Sequence, residues 1–183
     1  MGEPPKDPPV REQSLEEILG NYRIFVQDSL RKARESGIDL KGYPIDHLCY
    51  RVETLEDYER MKQQLMRLSK GFLENAHHGR PISKFLLREP LQVDGYSIPV
   101  IELPAPRLGQ NTKTVLEHLE MVVGEDYPSL KNKHESLWSG IDDSGEFNQP
   151  VYITFENGNS VKFHRLPITE VVRLEGNIFA EII

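Results

Sequence analysis

The sequence predicts an α+β protein in which two similar halves contribute strands to one curved sheet. Each half opens with a strand and continues with a helix and further extended runs. The two opening strands also resemble each other residue by residue, which indicates an internal duplication. Three strands carry polar side chains on one face and apolar ones on the other. This pattern predicts a convex face packed on helices and a concave face that lines a polar cavity.

Composition narrows the class of protein. The 183 residues are 38% hydrophobic and 28% charged, which is typical of one soluble domain. A net charge of −7 disfavours nucleic acid as a partner, and no apolar run is long enough to span a membrane. The single cysteine, Cys49, excludes an intramolecular disulfide and disfavours a cysteine-based zinc site. A cytoplasmic monomer or homodimer is therefore expected.

The chain begins with a segment rich in proline and charge, and residues 1–13 are predicted to form a disordered leader. Residues 14–40 are predicted to be a helical segment, because Ser14 and Glu17 form a capping box and apolar residues then recur at helical spacing. A break is expected near Gly20. The apolar stripe of this segment either covers the main domain, forms a dimer surface or docks a partner.

Residues 41–106 form the first predicted half. The stretch "IDHLCYRV" at 45–52 is a strand, and Thr54 caps the helix that follows it. Three extended runs come next, with turns at Gly79 and at residues 94–95. The order of elements in this half is therefore β-α-β-β-β.

Residues 107–183 form the second predicted half. "TVLEHLEMVV" is a strand, a helix is entered through Pro128, and two strands flank a turn at residues 157–158. Residues 141–150 are ambiguous between a loop and an irregular strand. A closing helix is expected, with Thr169 as its cap.

The opening and closing strands of the halves carry metal-ligand residue types at equivalent positions. "IDHLCYRV" aligned with "LEHLEMVV" places His47 opposite His118, and each is preceded by an acid. The closing strands "VIELP" and "KFHRLP" carry Glu102 and His164, each shortly before a proline. A lone strand histidine is more often structural. Four ligand-type residues at repeat positions instead predict a metal site made of His47, His118, His164 and Glu102.

Cationic residues share the faces of these candidate ligands. Alternation places Arg51 on the side of His47 and Lys162 on the side of His164, which suits an anionic substrate. Arg80 and Lys84 are further substrate-binding candidates by sequence position. In the alternative interpretation, Arg51 and Lys162 pair with Glu120 across the cavity. Cys49 most simply packs as a small side chain.

Five blocks, in order, resemble the YecM family of bacterial proteins: "DHLCYR", "GRPISKF", "VIELPAP", "LEHLEMV" and "VKFHRLPITEVV". That family belongs to the vicinal oxygen chelate superfamily, alongside glyoxalase I and extradiol dioxygenases. The resemblance spans roughly residues 14 to 174. It implies two βαβββ modules in a curved mixed sheet, a glyoxalase-like cup around a divalent metal, with the N-terminal helical segment added.

The resemblance also implies a site. The superfamily draws its metal ligands from the first and last strands of each module, where this chain has His47, Glu102, His118 and His164. His164 departs from the closing carboxylate of glyoxalase-type sites. A divalent Zn, Ni, Mn or Fe ion is expected.

The expected activity is isomerase, lyase or oxygenase chemistry on a small oxygenated, anionic substrate, with Glu102 also serving as a base. A non-catalytic protein that binds a small molecule or a metal on the same fold is the alternative.

Overall fold

The computed structural model describes residues 13–77, 79–107, 109 and 113–182. Residues 1–12 of the predicted leader lie outside these described residues. Over the described ranges, no helix combines the length and apolar character needed to cross a bilayer.

Two helices precede the sheet: α1 (Leu15–Leu19) and α2 (Tyr22–Glu35). The capping box is confirmed, because Ser14 Oγ accepts a hydrogen bond from the Glu17 N–H and the Glu17 carboxylate accepts one from the Ser14 N–H. Gly20 has a φ of 73°, a conformation that suits glycine, and it separates the helices where the break was predicted. The apolar side of α2, which includes the fully buried Val26, packs on the sheet.

The first module runs β1 (Ile45–Arg51), α3 (Leu55–Arg67), β2 (Ser69–His77), β3 (Arg80–Val93) and β4 (Tyr96–Pro104). Its strands lie in the order β1-β4-β3-β2, with β1 parallel to β4 and the other pairs antiparallel. Thr54 caps α3 as predicted, since its Oγ1 accepts from the Asp57 N–H at 3.0 Å.

The second module repeats this plan with shorter elements. It runs β5 (Val115–Val122), α4 (Tyr127–Lys133), β6 (Gly140–Ile141), β7 (Val151–Thr154) and β8 (Ser160–His164). The strand order is β5-β8-β7-β6, again with the first and last strands of the module parallel. A 3-10 turn at Glu135–Leu137 separates α4 from β6.

The closing helix α5 (Ile168–Leu174) is followed by β9 (Ala180–Glu181), which pairs with β2 at the sheet edge. The prediction that Thr169 caps α5 is wrong, because Thr169 lies within the helix and Pro167 is the cap residue. Proline enters a helix well because its φ is already fixed near the helical value. The Asp46 carboxylate accepts the Ile168 N–H at 2.9 Å, which satisfies one of the backbone donors that the first turn of a helix leaves without an intrahelical partner.

The nine strands form one mixed sheet, and the antiparallel pair β1 and β5 joins the two modules at its centre. This arrangement confirms the predicted α+β fold of paired βαβββ modules. Leu48 and Leu119 face each other across that central pair and are fully buried in the core. The opposite, concave face lines a cavity of about 280 Å³, which is where the polar strand residues lie.

Candidate metal centre

The cavity brings together every site residue that the sequence predicts. These residues, which come from β1, β3, β4, β5 and β8, are His47, Arg51, Arg80, Lys84, Glu102, His118, Lys162 and His164. Residues 142–150 and helix α5 complete its wall with polar and apolar side chains respectively. Within this cavity, the rings of His47, His118 and His164 have different hydrogen-bond partners.

Each opening strand contains a β-bulge just before its histidine. Along β1, Ile45 pairs with Met121 and His47 pairs with Glu120, so Asp46 is an extra residue. The same irregularity in β5 makes Glu117 an extra residue before His118. A bulge interrupts the alternation of side chains. Each acid can therefore lie beside the ring of the histidine that follows it.

The bulge acids fix the orientation of the two rings. His47 Nδ1 lies 2.9 Å from Asp46 Oδ2, and His118 Nδ1 lies 3.0 Å from Glu117 Oε2. An ionised carboxylate only accepts hydrogen bonds, so Nδ1 carries the proton in both rings. The remaining ring nitrogen, Nε2, then faces the cavity. This is the arrangement in which metal-ligating histidines are usually held.

Glu102 joins the two histidines in a group of potential ligand atoms. One such atom from each of His47, Glu102 and His118 lies within 4.8 Å of the others. His118 Nε2 is buried and makes no well-aligned hydrogen bond among the described residues, although Glu120 Oε1 lies 3.2 Å away. Two imidazoles and a carboxylate form a set that suits first-row divalent metals. The residues present therefore fit a divalent cation.

Glu120 lies at the centre of the cavity, a position that the sequence did not reveal. Its Oε1 is 3.5 Å from His47 Nε2 and 3.2 Å from His118 Nε2, and its Oε2 is 3.4 Å from His164 Nε2. Two atoms that bind one metal ion at about 2.0–2.1 Å lie about 3.0–3.4 Å from each other. The distances from Glu120 to the histidine nitrogens are similar to this spacing. The alternation of side chains along β5 places Glu120 on the same face as His118. This is the sequence pattern from which its position near the histidines could have been predicted.

The charged groups in this cluster shift one another's pKa values. Burial would lower the pKa of His47, but the Glu120 and Asp46 carboxylates outweigh it and raise this pKa to about 10. Burial would raise the pKa of Glu120, yet Lys162 and His47 hold that pKa well below its ordinary value. The His118 pKa is likewise raised well above its usual range, against burial. Without a metal, protons on two histidines therefore balance the buried carboxylates.

His164 behaves differently from the other two histidines. Burial lowers the pKa of His164 in spite of the Glu120 and Asp46 carboxylates, so its ring stays neutral. Its Nδ1 faces an amide, the Nδ2 of Asn148 at 3.2 Å, and not a carboxylate. His164 as a metal ligand stays a prediction, and it lies in a separate group of potential ligand atoms with Asp46 and His47.

The four predicted cationic residues all line the cavity, with different partners. Arg51 Nε donates to Glu117 Oε2 at 2.7 Å, so this arginine does not pair with Glu120 as the alternative interpretation had it. Lys162 Nζ does pair with Glu120, at 3.2 Å. Lys84 Nζ donates to the Asn75 side chain at 2.8 Å.

Arg80 has a backbone carbonyl, and not a carboxylate, as its hydrogen-bond partner. It donates through one terminal nitrogen to the Ala105 carbonyl at 2.9 Å, while its buried Nε has no hydrogen-bond partner within the described ranges. Burial and the neighbouring Arg51 and Arg107 lower the pKa of Arg80, which shows that positive charge concentrates on this side of the cavity.

Comparison with known proteins agrees with the five sequence blocks. The profile of the YecM protein family matches residues 14–175. The chain belongs to the YecM family. Protein YecM of Escherichia coli (strain K12) is 26% identical over 176 aligned residues, which cover 88% of this chain and 94% of that protein.

Solved structures give a similar result. A structure described as structural genomics protein EC4020 aligns with a TM-score of 0.68 and 27% identity, over 84% of this chain and 87% of that one. A weaker match is BphC, a halotolerant catechol dioxygenase, with a TM-score of 0.38 and 15% identity over 76% of this chain and 41% of that one. This level of similarity adds nothing to the topology described above.

Proposed function

We propose that this YecM family member is a divalent-metal-dependent enzyme that acts on a small, oxygenated anion inside the cup. The observation that carries the proposal is the convergence of His47, His118 and Glu102 in a buried cavity. In each of the two opening strands, a bulge acid turns the following histidine so that Nε2 faces the same space. A structural histidine would not need this repeated acid before it in both modules.

His47, His118 and Glu102 would hold the metal, with the Glu120 carboxylate adjacent to both histidines. When bound there, Zn²⁺, Ni²⁺, Mn²⁺ or Fe²⁺ supplies Lewis-acid polarisation of a substrate oxygen. Asp46 and Glu117 keep the two rings in one orientation, so little reorganisation is needed when the site is occupied.

The cations on the cavity wall would bind and orient the substrate. Arg80 lines the cavity and is hydrogen-bonded to the neutral Ala105 carbonyl, so its guanidinium can engage an anionic oxygen without breaking that bond. Arg51 and Lys84 lie along the same wall and add positive charge. Arginine suits carboxylate and phosphate groups because its planar fork donates two parallel hydrogen bonds. The pocket therefore favours a substrate with at least one full negative charge.

Glu102 is the carboxylate that we propose as the proton acceptor. Burial would raise the pKa of Glu102, but His47 and Lys84 outweigh it and keep that pKa below its ordinary value. Glu102 is therefore ionised at neutral pH and able to accept a proton from a substrate carbon or hydroxyl. Ile168, Val171 and Val172 of α5 add apolar side chains to the wall of the same cavity.

Metal binding by the full chain, purified without a histidine tag, tests the first half of the proposal. Isothermal titration with Zn²⁺, Mn²⁺ and Ni²⁺, together with elemental analysis, should give near one equivalent per chain. His47→Ala and His118→Ala should abolish the uptake. The matched control is His134→Gln, because His134 is also buried but lies beside Trp138, outside the cavity. A native chain that takes up none of these metals would overturn the proposal.

Anion binding tests the second half. Oxalate, a small oxygen anion, should bind the zinc-loaded chain more tightly than the metal-free chain. Arg80→Gln should weaken oxalate binding by about tenfold, as expected for the loss of one charge-assisted hydrogen bond, and leave zinc affinity unchanged. Zinc uptake with no oxalate binding and no exchangeable water on the metal would instead favour a structural metal site.

A further inference from the structure

His164 is oriented by a different kind of partner from His47 and His118. The Nδ1 atoms of His47 and His118 face carboxylates, which can only accept hydrogen bonds. The Nδ1 of His164 faces the side-chain amide of Asn148 at 3.2 Å. An amide has one donor end and one acceptor end, so its orientation decides which nitrogen of His164 carries the proton.

The backbone of Leu166 fixes the orientation of the Asn148 amide. The Leu166 N–H donates to Asn148 Oδ1 at 3.0 Å, and Asn148 Nδ2 donates to the Leu166 carbonyl at 2.7 Å. Because a backbone N–H only donates and a carbonyl only accepts, the reverse orientation of the amide would lose both bonds. Nδ2 therefore faces His164, and its second hydrogen points at Nδ1.

The tautomer of His164 follows from this contact. Nδ1 accepts from Asn148, so a neutral ring carries its proton on Nε2. That nitrogen is buried and lies 3.4 Å from Glu120 Oε2 and 3.6 Å from Asp46 Oδ2, although neither contact is a well-aligned hydrogen bond in the described residues. The ring is only 2% exposed, so no solvent competes for this N–H. A protonated Nε2 has no lone pair to offer a metal.

We propose that His164 is a positioning residue and not a metal ligand: Asn148 holds it as the Nε2–H tautomer, and this N–H is directed at the Glu120 carboxylate. The inference rests on the proposed metal site at His47, His118 and Glu102. It divides His47, His118 and His164 into two ligands and one donor. It also gives Asn148, a residue of the segment between β6 and β7, a defined role in the site.

Long-range ¹H–¹⁵N NMR of the histidine rings tests the inference directly, with signals assigned from single His→Gln variants. In the metal-free chain, His164 should show a neutral ring with its proton on Nε2. During a Zn²⁺ titration, the Nε2 signals of His47 and His118 should move to metal-bound positions, while His164 keeps its proton on Nε2. A His164 proton on Nδ1, or a zinc-bound Nε2 at His164, would overturn the inference.

The same titration separates this inference from the proposed function. If none of the histidine signals responds to Zn²⁺, the metal site fails. The tautomer of His164 in the metal-free spectrum still decides the role of Asn148 in that case. Asn148→Leu removes the amide donor and should allow the proton of His164 to move to Nδ1. An unchanged tautomer in this variant would contradict the assignment.

Rescue by a conservative substitution provides a second readout. In His164→Gln, the amide nitrogen can replace the Nε2–H donor, although it cannot replace an imidazole ligand. Zinc affinity should stay within about threefold of the native value in His164→Gln and fall by about tenfold in His164→Ala, as for loss of an outer partner. Equal losses in His164→Gln and His47→Gln would show that His164 is a ligand.

Discussion

The two modules of this chain share a plan at their opening strands and diverge at their closing strands. β1 and β5 each place a bulge acid directly before a histidine, and both histidines point Nε2 into the cup. β4 and β8 end differently, with Glu102 in one module and His164 in the other. In the proposed assignment, both histidine ligands come from the feature that the modules share, while the closing strands contribute a carboxylate ligand in one module and a positioning histidine in the other.

The two modules also differ in the lengths of their strands. β2, β3 and β4 form a long regular wall, whereas β6 and β7 have only 2 and 4 residues. In the second module, residues 142–150 and helix α5 complete the wall in place of longer strands. Asn148 belongs to this irregular part, so the residue that orients His164 comes from the region where the repeat is least regular.

Removal of a shared histidine should have the largest effect. His47→Ala and His118→Ala should each lower Zn²⁺ affinity by more than about 100-fold, because each removes a ligand and not an outer partner. The two losses should be similar if the opening strands are equivalent. Titration calorimetry measures them, with His134→Gln as the control. A loss in only one variant would break the symmetry of the two strands.

The bulge acids should have a smaller and unequal effect. In Asp46→Asn, the oxygen that accepts the Ile168 N–H also faces His47 Nδ1, so the amide keeps this oxygen but loses the negative charge that strengthens the contact with Nδ1. Glu117→Gln likewise removes the negative charge beside His118 Nδ1. Both should reduce zinc affinity within a range of about 10–100-fold. Asp46→Asn should have the stronger effect, since the Asp46 side chain is 5% exposed and also accepts the Ile168 N–H, while Glu117 is 36% exposed.

Melting curves of the metal-free variants separate this effect from unfolding. Asp46→Asn keeps an oxygen for the Ile168 N–H, so its melting temperature should fall by only a few degrees, as for about 1 kcal/mol lost from a domain of this size. If zinc affinity is unchanged in both variants, the bulge acids do not orient the ligands.

Substitutions at the starts of helices α3 and α4 should have the smallest effects. Thr54→Ala should destabilise the chain by about 1 kcal/mol in urea unfolding, because the Thr54 hydroxyl caps α3. The corresponding helix α4 has no side-chain cap hydrogen bond, and Asp126 at its start contacts only the Tyr43 hydroxyl among the described residues. Asp126→Ala should therefore cost less. A larger cost for Asp126 would show that α4 depends on that contact.

Much of the fold could be predicted because its signals are local. Apolar alternation identified both opening strands, and the Ser14 capping box and Gly20 located the leading helices. Thr169 was misplaced as a cap because the helix begins one residue earlier, after Pro167, where the first backbone N–H, that of Ile168, is bonded by the distant Asp46. Local sequence does not report such a contact.

The site was only partly predictable for a related reason. Alternation correctly placed His47, His118 and Glu120 on the concave face. It could not locate the bulges, because a bulge depends on the register between two strands and leaves little trace in either one. The acid before each aligned histidine was visible in the sequence, but its contact with Nδ1 was not. Glu120 was assigned only a pairing role, since its distances to three histidines depend on the curvature of the whole sheet.

Anomalous diffraction from crystals grown with Mn²⁺ or Zn²⁺ tests the central claim most directly. The account predicts one strong peak about 2.0–2.2 Å from the Nε2 atoms of His47 and His118, with a Glu102 oxygen at a similar distance. No peak in the cup at saturating metal, or a peak elsewhere on the chain and none between His47 and His118, would contradict it.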